Sequence, residues 1–245
     1  MIDGLYRVGA GMSTSMVRME ILANNLANVE TLGFKRDRAF SDELDAAAAQ
    51  PATDGSGDLV IHQVIDYSEG SLKQTNNQLD VAIQGRGFFV LNTPSGPQYT
   101  RNGNFQLGLD GTLMSPGGYE VSGTNGKLQL PDVHRLTQGS VEINERGEIT
   151  VDKQAVGQLR IVDFQDYSQL TKDDQSLFSA TPQAGLVEGP GSLTGIRQGF
   201  VEESNVEGIE EMVSMIDLSR SFEAEQKALQ STDTSLGQTN EVGKL

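Results

Sequence analysis

The stretch Ala23-Asn24-Asn25-Leu26-Ala27-Asn28-Val29-Glu30-Thr31-Leu32-Gly33-Phe34-Lys35 decides the fold, because a helical pattern fills its first half and stops at a polar, glycine-containing exit. Upstream, Leu5, Val8, Met12, Ser15, Met19, Leu22, Leu26 and Val29 recur at alternating three- and four-residue steps, the spacing of a seam that faces a partner helix. Only Ser15 interrupts its apolar character. Asn24, Asn25 and Asn28 crowd the last turns although asparagine is a poorer helix former than alanine by up to ~0.7 kcal/mol per residue. Asn24 and Asn28 share a face, and their amides suit either the carbonyls a helix leaves free at its end or a bond to a neighbouring helix. End-capping is the expectation.

Working outward, residues 36–44 read as a short helix or turn, and Pro51-Ala52-Thr53-Asp54-Gly55-Ser56-Gly57 carries the breakers of an exposed loop. From about Leu59 the period changes to alternation, and a β body begins. Gly85-Arg86-Gly87 leads into Phe88-Phe89-Val90-Leu91, an apolar run of buried-strand length. Asn102-Gly103, Asp110-Gly111 and Asn125-Gly126 are the dipeptides of tight hairpins, which imply an antiparallel sheet. A last strand is expected near 196–201. Helical periodicity then returns: Ile209, Met212, Val213 and Ile216 form one apolar face, while Met215, Leu218, Phe222, Leu229 and Leu236 form a heptad row broken by Glu225 and Thr232. Ser204 or Asn205 suits its N-cap, acids occupy the positive end of the helix dipole, and fraying is expected toward Leu245.

The expected fold class is α+β: a discontinuous helical coiled-coil domain drawn from both termini, with an inserted antiparallel β-rich domain. The expected divisions are 1–38 for the N-terminal helix, 39–75 for a linker and connecting hairpin, 76–200 for the β-rich domain and 201–245 for the C-terminal helix. A terminal helix needs a partner, since burying a seam side chain stabilises by ~1.5–3 kcal/mol while ordering each residue of backbone costs ~1–2 kcal/mol.

Composition narrows the function. The 245 residues carry a formal charge of −16 with only 18 Lys and Arg, a balance that argues against nucleic acid and anionic lipid. There is no cysteine, hence no disulfide and no thiolate metal site. The first residues lack the apolar core of a secretory signal, and no run approaches the ~20 apolar residues of a membrane span. Export would use a route that reads no cleaved signal.

The motifs of chemistry do not assemble. His62 and His134 stand alone, Gly85-Arg86-Gly87 lacks the third glycine of a dinucleotide loop, and Gly123-Thr124-Asn125-Gly126-Lys127 has the wrong spacing for a phosphate loop. Lys172-Asp173-Asp174-Gln175 lacks the alternating oxygens and glycine of a calcium loop. No catalytic residue, cofactor or metal is expected. Two other classes stand beside this: a periplasmic glycan-acting enzyme using two of the 34 acids, and a coiled-coil adhesin.

Residues 23–35 resemble the signature of bacterial flagellar rod and hook axial proteins. The resemblance extends to Leu79-Asp80-Val81-Ala82-Ile83-Gln84-Gly85-Arg86-Gly87-Phe88-Phe89, to Tyr99-Thr100-Arg101-Asn102-Gly103-Asn104-Phe105 and to Gln198-Gly199-Phe200-Val201-Glu202-Glu203-Ser204-Asn205-Val206. Residues 215–223 look more like the proximal rod type (type F), whereas 36–39 lean toward the distal type (type G); the proximal type is the expectation. The resemblance implies a structural subunit of the basal-body rod that crosses the inner membrane unfolded through the flagellar type III apparatus. It would then order its ends in a helical tube with itself and other rod subunits, transmitting torque to the hook. It also implies a subunit interface at Leu5, Val8, Met12, Met19, Leu22, Asn24, Asn25, Leu26, Asn28, Val29, Gly33, Phe34, Met215, Leu218, Phe222, Leu229 and Leu236, with 30–39 locking neighbours.

Overall fold

The computed structural model describes residues 2–41, 61–130, 141–174, 176–189 and 194–242. The expected loop at 51–57, His134 and the fraying end at Leu245 lie outside them, as do the side chains of Leu5, Val8, His62 and Leu236. The chain is α+β and divides into two packed units. One gathers Met1–Ala27, Asp37–Asp66 and Glu207–Leu245; the other gathers Asn28–Arg36 and Tyr67–Val206.

In the first unit, α1 (Ile2–Ala27) lies antiparallel to α2 (Gly208–Val242). Ser15 Oγ donates to Glu225 Oε2 at 3.4 Å, so the polar interruptions of the two apolar rows face each other. Among the described residues of α1, the buried side chains are Ser15, Ile21 and Asn25, with Met12, Met19, Leu22 and Leu26 half-buried beside them. The buried line therefore drifts off the strict heptad row toward the helix end, as a straight helix drifts by ~20° per heptad against a 3.5-residue repeat. Helix α2 starts at Gly208, later than the expected caps, with Glu210 and Glu211 in its first turn.

Asn25 sets the conformation of the chain beyond α1. Its Oδ1 accepts the Asp37 N–H at 2.9 Å and its Nδ2 donates to the Asp37 carbonyl at 2.8 Å, the pair of bonds a neighbouring strand would make. The same Nδ2 lies 3.5 Å from Glu211 Oε2 on α2. Asn25 thus anchors a strand and touches a helix, a role apart from the end-capping expected of Asn24 and Asn28. Accordingly 37–41, read from sequence as helix or turn, is strand β1 (Asp37–Ser41), paired with β2 (Ile61–Ile65). Such a two-stranded ribbon is marginal by itself, and the Asn25 amide secures its first residue.

The second unit is built from β3 (Leu72–Gln74), β4 (Val81–Gln84), β5 (Phe88–Thr93), β6 (Gly96–Thr100), β7 (Gln106–Leu107), β8 (Leu113–Met114), β9 (Glu120–Gly123), β10 (Gly126–Lys127), β11 (Val141–Ile143), β12 (Glu148–Val151), β13 (Gln154–Gln158), β14 (Ile161–Phe164), β15 (Leu170–Asp174), β16 (Leu177–Ala180), β17 (Leu186–Glu188), β18 (Gly195–Gln198) and β19 (Phe200–Glu202). Ten of these form one antiparallel sheet through the path β15-β16-β6-β5-β9-β8-β7, with β10 on β9 and β14 linking β5 to β17. Strand β5 is buried on both faces, which is why its apolar run is unbroken. Phe89 and Leu91 join the main core with Val81, Ile83, Phe105 and Ile149. Phe88 faces a cluster of rings including Phe164, Tyr167 and Phe178.

Two of the three expected hairpins form. Asp110-Gly111 lies in a five-residue loop from β7 to β8, where Asp110 accepts the Thr112 N–H and hydroxyl at 3.1 and 2.7 Å, and β9 turns into β10 at Thr124-Asn125, with Gly126 already in the strand, so neither dipeptide is the two-residue turn expected. Asn102-Gly103 makes no hairpin. A Cβ at Gly103 would fall 1.6 Å from the Val81 carbonyl oxygen, and the Gly103 carbonyl accepts the Val81 N–H at 2.9 Å, so this glycine serves a close backbone approach. The single last strand expected near 196–201 is two strands broken at Gly199, whose φ is +77°. Strand β18 pairs with β4 and β19 with β3, so the end of this unit is stitched to its beginning.

Replacing Asn25 by Asp exchanges a donor for an oxygen that faces the Asp37 carbonyl and the Glu211 carboxylate. A loss of roughly 1–3 kcal/mol is expected, read as faster hydrogen exchange at the Asp37 amide. Unchanged protection there would remove the anchoring role of Asn25.

Candidate functional site

The four motifs that carry the family resemblance are scattered over the sequence, and in the β unit they meet at one place. Gly33 adopts φ +68°, and a Cβ there would lie 2.5 Å from the Asn102 nitrogen and 2.6 Å from the Arg101 carbonyl carbon. Only glycine lets the exit pass this closely over the Arg101-Asn102-Gly103 turn. The Gly33 N–H donates to the Glu202 carbonyl at 2.8 Å, and the Arg36 N–H to Asn205 Oδ1 at 2.7 Å. Residues 33–36 thus lie along the last residue of β19 and the segment after it.

Phe34 is 1% exposed, and Lys172 of β15 holds its ammonium 3.5 Å from the Phe34 ring centroid while donating to the Lys35 carbonyl at 2.9 Å. Lys35 is buried completely. Its Nζ donates to the Ser68 carbonyl at 2.6 Å and to Glu202 Oε1 at 2.6 Å. Glu202 Oε1 also accepts the Gly70 N–H at 3.0 Å, and its other oxygen lies 3.4 Å from Arg101 Nη1. Arg101 in turn donates to the Gly85 carbonyl at 2.8 Å and sets its guanidinium over the Phe88 ring at 5.3 Å. Asp80 completes the ring of motifs by accepting from the Asn104 amide at 2.8 Å and from the Gly199 N–H at 2.8 Å.

The centre of this junction is one carboxylate between two cations. The Lys35, Glu202 and Arg101 side chains are 0%, 1% and 3% exposed. Burial pushes the Lys35 ammonium below its usual 10.5, and the nearby Arg101 charge acts in the same direction, while Glu202, chiefly, and Glu69 oppose them. Desolvation wins although the ion pair is short, as expected when removing a charge from water costs more than one partner returns. The arrangement holds backbone segments together through bonds among these side chains and to the Ser68 and Gly85 carbonyls.

The expected interface residues divide between the two units. In the helical unit Met12, Met19, Leu22 and Leu26 are half-buried on α1, as are Met215, Leu218, Phe222 and Leu229 on α2; Asn24 is exposed and Asn25 buried. In the β unit Gly33 and Phe34 are buried within their own chain, Val29 is half-buried, and Asn28 Oδ1 accepts the Thr31 hydroxyl at 3.1 Å. Lys35, Arg101, Lys172 and Glu202 were not among the expected site residues. The available signal was a Lys, an Arg and a Glu inside glycine- and aromatic-rich motifs, where a charge must be partnered.

Comparison with known proteins finds the same segments. Residues 5–35 match the family described as "Flagella basal body rod protein", 82–151 match "Flagellar hook protein FlgE/F/G D1 domain", and 197–242 match "Flagellar basal body rod FlgEFG protein C-terminal". The flagellar basal-body rod protein FlgG of Buchnera aphidicola subsp. Baizongia pistaciae is 33% identical over 96% of this chain and 98% of its own. The chain belongs to the flagellar basal-body rod protein family. FlgG of Buchnera aphidicola subsp. Schizaphis graminum is 31% identical over 99% of this chain and 100% of its own, and FlgF of Caulobacter vibrioides is 29% identical over 100% of both. Both rod types therefore match along the whole chain, and the expected leaning toward the proximal type is not separated from the distal one. A rod protein of this family is structural, so the enzyme alternative has no support. Among the described residues no helix is long and apolar enough to cross a membrane.

The Lys35 ε-protons, followed by NMR against pH, are expected to titrate with a midpoint below 10.5. Since the unfolded chain then holds that proton more tightly, stability rises with pH between the folded midpoint and the unfolded value of 10.5. Replacing Glu202 by Gln removes the main opposing charge and lowers the midpoint further. A wild-type midpoint at or above 10.5 contradicts the assigned balance.

Proposed function

We propose that this rod subunit assembles through its terminal helices, which form a discontinuous coiled-coil domain with the β unit inserted between them. The observation that supports this reading is an uncovered apolar face. On α2, Ile209, Met212, Val213 and Ile216 are 76%, 45%, 54% and 53% exposed at the steps of one helical face, while Met215, Leu218, Phe222 and Leu229 turn to the less exposed side. Met16 and Val17 of α1 are 61% and 39% exposed. A contiguous apolar helix face in water marks a surface that another protein covers, and in a rod subunit the covering protein is another copy or a neighbouring rod component.

In this reading the chain crosses the inner membrane unfolded through the type III apparatus, without a cleaved signal. Its ends then complete their packing in a periplasmic helical shaft that carries torque to the hook. Coupling the final order of the helices to assembly keeps the apolar face dispersed until a partner is present. The position along the rod, proximal or distal, is to be read from cryo-electron microscopy of basal bodies carrying a labelled subunit.

Met212→Asp together with Ile216→Asp is expected to abolish incorporation into basal bodies and swimming while the β unit keeps its hydrogen-exchange protection. Leu26→Asp, on the half-buried row of α1, is expected to do the same. Normal swimming by both variants would defeat assembly through the helices.

A further inference from the structure

We infer that the Lys35–Glu202–Arg101 cluster is a closure lock, which makes folding of the β unit conditional on the arrival of both the exit after α1 and the segment that ends in β19. Its significance for export rests on the proposed function; the lock itself is a property of the single chain. Lys35 and Glu202 are 167 residues apart, and Arg101 and Glu202 are 101 apart. Among the described residues Glu202 is the carboxylate within 4 Å of both buried cations. Arg101 depends on it further, because its Nε is buried without a hydrogen-bond partner.

Before residue 202 is in place, closing the unit over Lys35 and Arg101 would bury two cations without their shared counter-charge, and the open state is favoured. Before residues 33–35 are in place, the Glu202 carboxylate lacks its closest cation, and the absent 33–36 segment leaves the Glu202 carbonyl and Asn205 Oδ1 without the amides they accept from. The dependence runs both ways, so it acts whichever end of the chain leaves a narrow channel first. Backbone pairing reinforces it. The Gly70 N–H requires Glu202 Oε1, β3 requires β19, and β4 requires β18 as well as the Gly103 carbonyl. A chain of which any 33–202 portion is still threaded stays open, and therefore threadable.

The test is pulse-labelled hydrogen exchange during refolding of the full-length monomer from denaturant, at a dilution where no assembly occurs. In the native sequence the amides of β4 and β5 are expected to become protected in the same kinetic step as Gly33 and Glu203. In the variant Lys35→Met/Arg101→Met/Glu202→Leu, β4 and β5 are expected to gain protection at least tenfold sooner than Gly33 and Glu203. Protection of β4 and β5 in the native chain ten times faster than at Gly33 and Glu203 would overturn the lock, and that arm needs no variant to fold. If the triple variant folds and keeps one concerted step, the charges are not its cause and the inference also fails. Because the sample is monomeric, neither outcome bears on whether the helices assemble.

Discussion

A single carboxylate shared by two buried cations governs this chain. Glu202 lies 2.6 Å from the Lys35 ammonium and 3.4 Å from the Arg101 guanidinium, with all three side chains removed from water. Moving each ion out of solvent costs several kcal/mol even after relaxation, and the attraction offsets that cost only where hydrogen bonds complete the geometry. Here they do so largely through backbone: the Ser68 and Gly85 carbonyls take up the two cations' donors and the Gly70 N–H takes up the carboxylate. Burial holds the Lys35 pKa below its usual value against the pull of Glu202, and the cluster acts as a condition on how the surrounding segments must lie.

The cluster lies within the β unit, and the chain leaves that unit two peptide bonds after Lys35. Lys35 is held in the β unit and Asp37, two residues on, is held in the helical unit by the Asn25 amide. The chain passes between the units four times, at 27–28, 36–37, 66–67 and 206–207. The 23–35 stretch is therefore divided by packing: its helical half ends with α1 at Ala27, and its glycine exit belongs to the β unit.

Much of this was legible in the sequence where periodicity carries the signal. The two helices, the change to alternation and the doubly buried Phe88-Phe89-Val90-Leu91 run are readable from spacing alone, and the Ser15 and Glu225 interruptions mark the positions that meet. What escaped is what depends on distant partners. Residues 37–41 have no strong local preference and become a strand because Asn25 offers them a strand-like pair of bonds. Asn102-Gly103 has the composition of a hairpin, yet its glycine is needed for the approach of Val81, a contact no local window contains. The same holds for Lys35, Arg101 and Glu202, whose pairing spans over a hundred residues and leaves no periodic trace.

An apolar trio at these positions would satisfy the demand for burial at no loss of stability, since replacing buried ions by well-packed hydrophobes is often neutral or favourable by ~1–4 kcal/mol. It would also be indifferent to register. Val29, Leu32 and Phe34 are apolar neighbours of Lys35, so an apolar site would not tell its position from theirs. The ammonium removes that freedom, because its donors must meet the Ser68 carbonyl and Glu202 Oε1 together, and Gly33 must fall where Asn102 admits no Cβ. A directional charge next to an obligatory glycine fixes the exit to one residue.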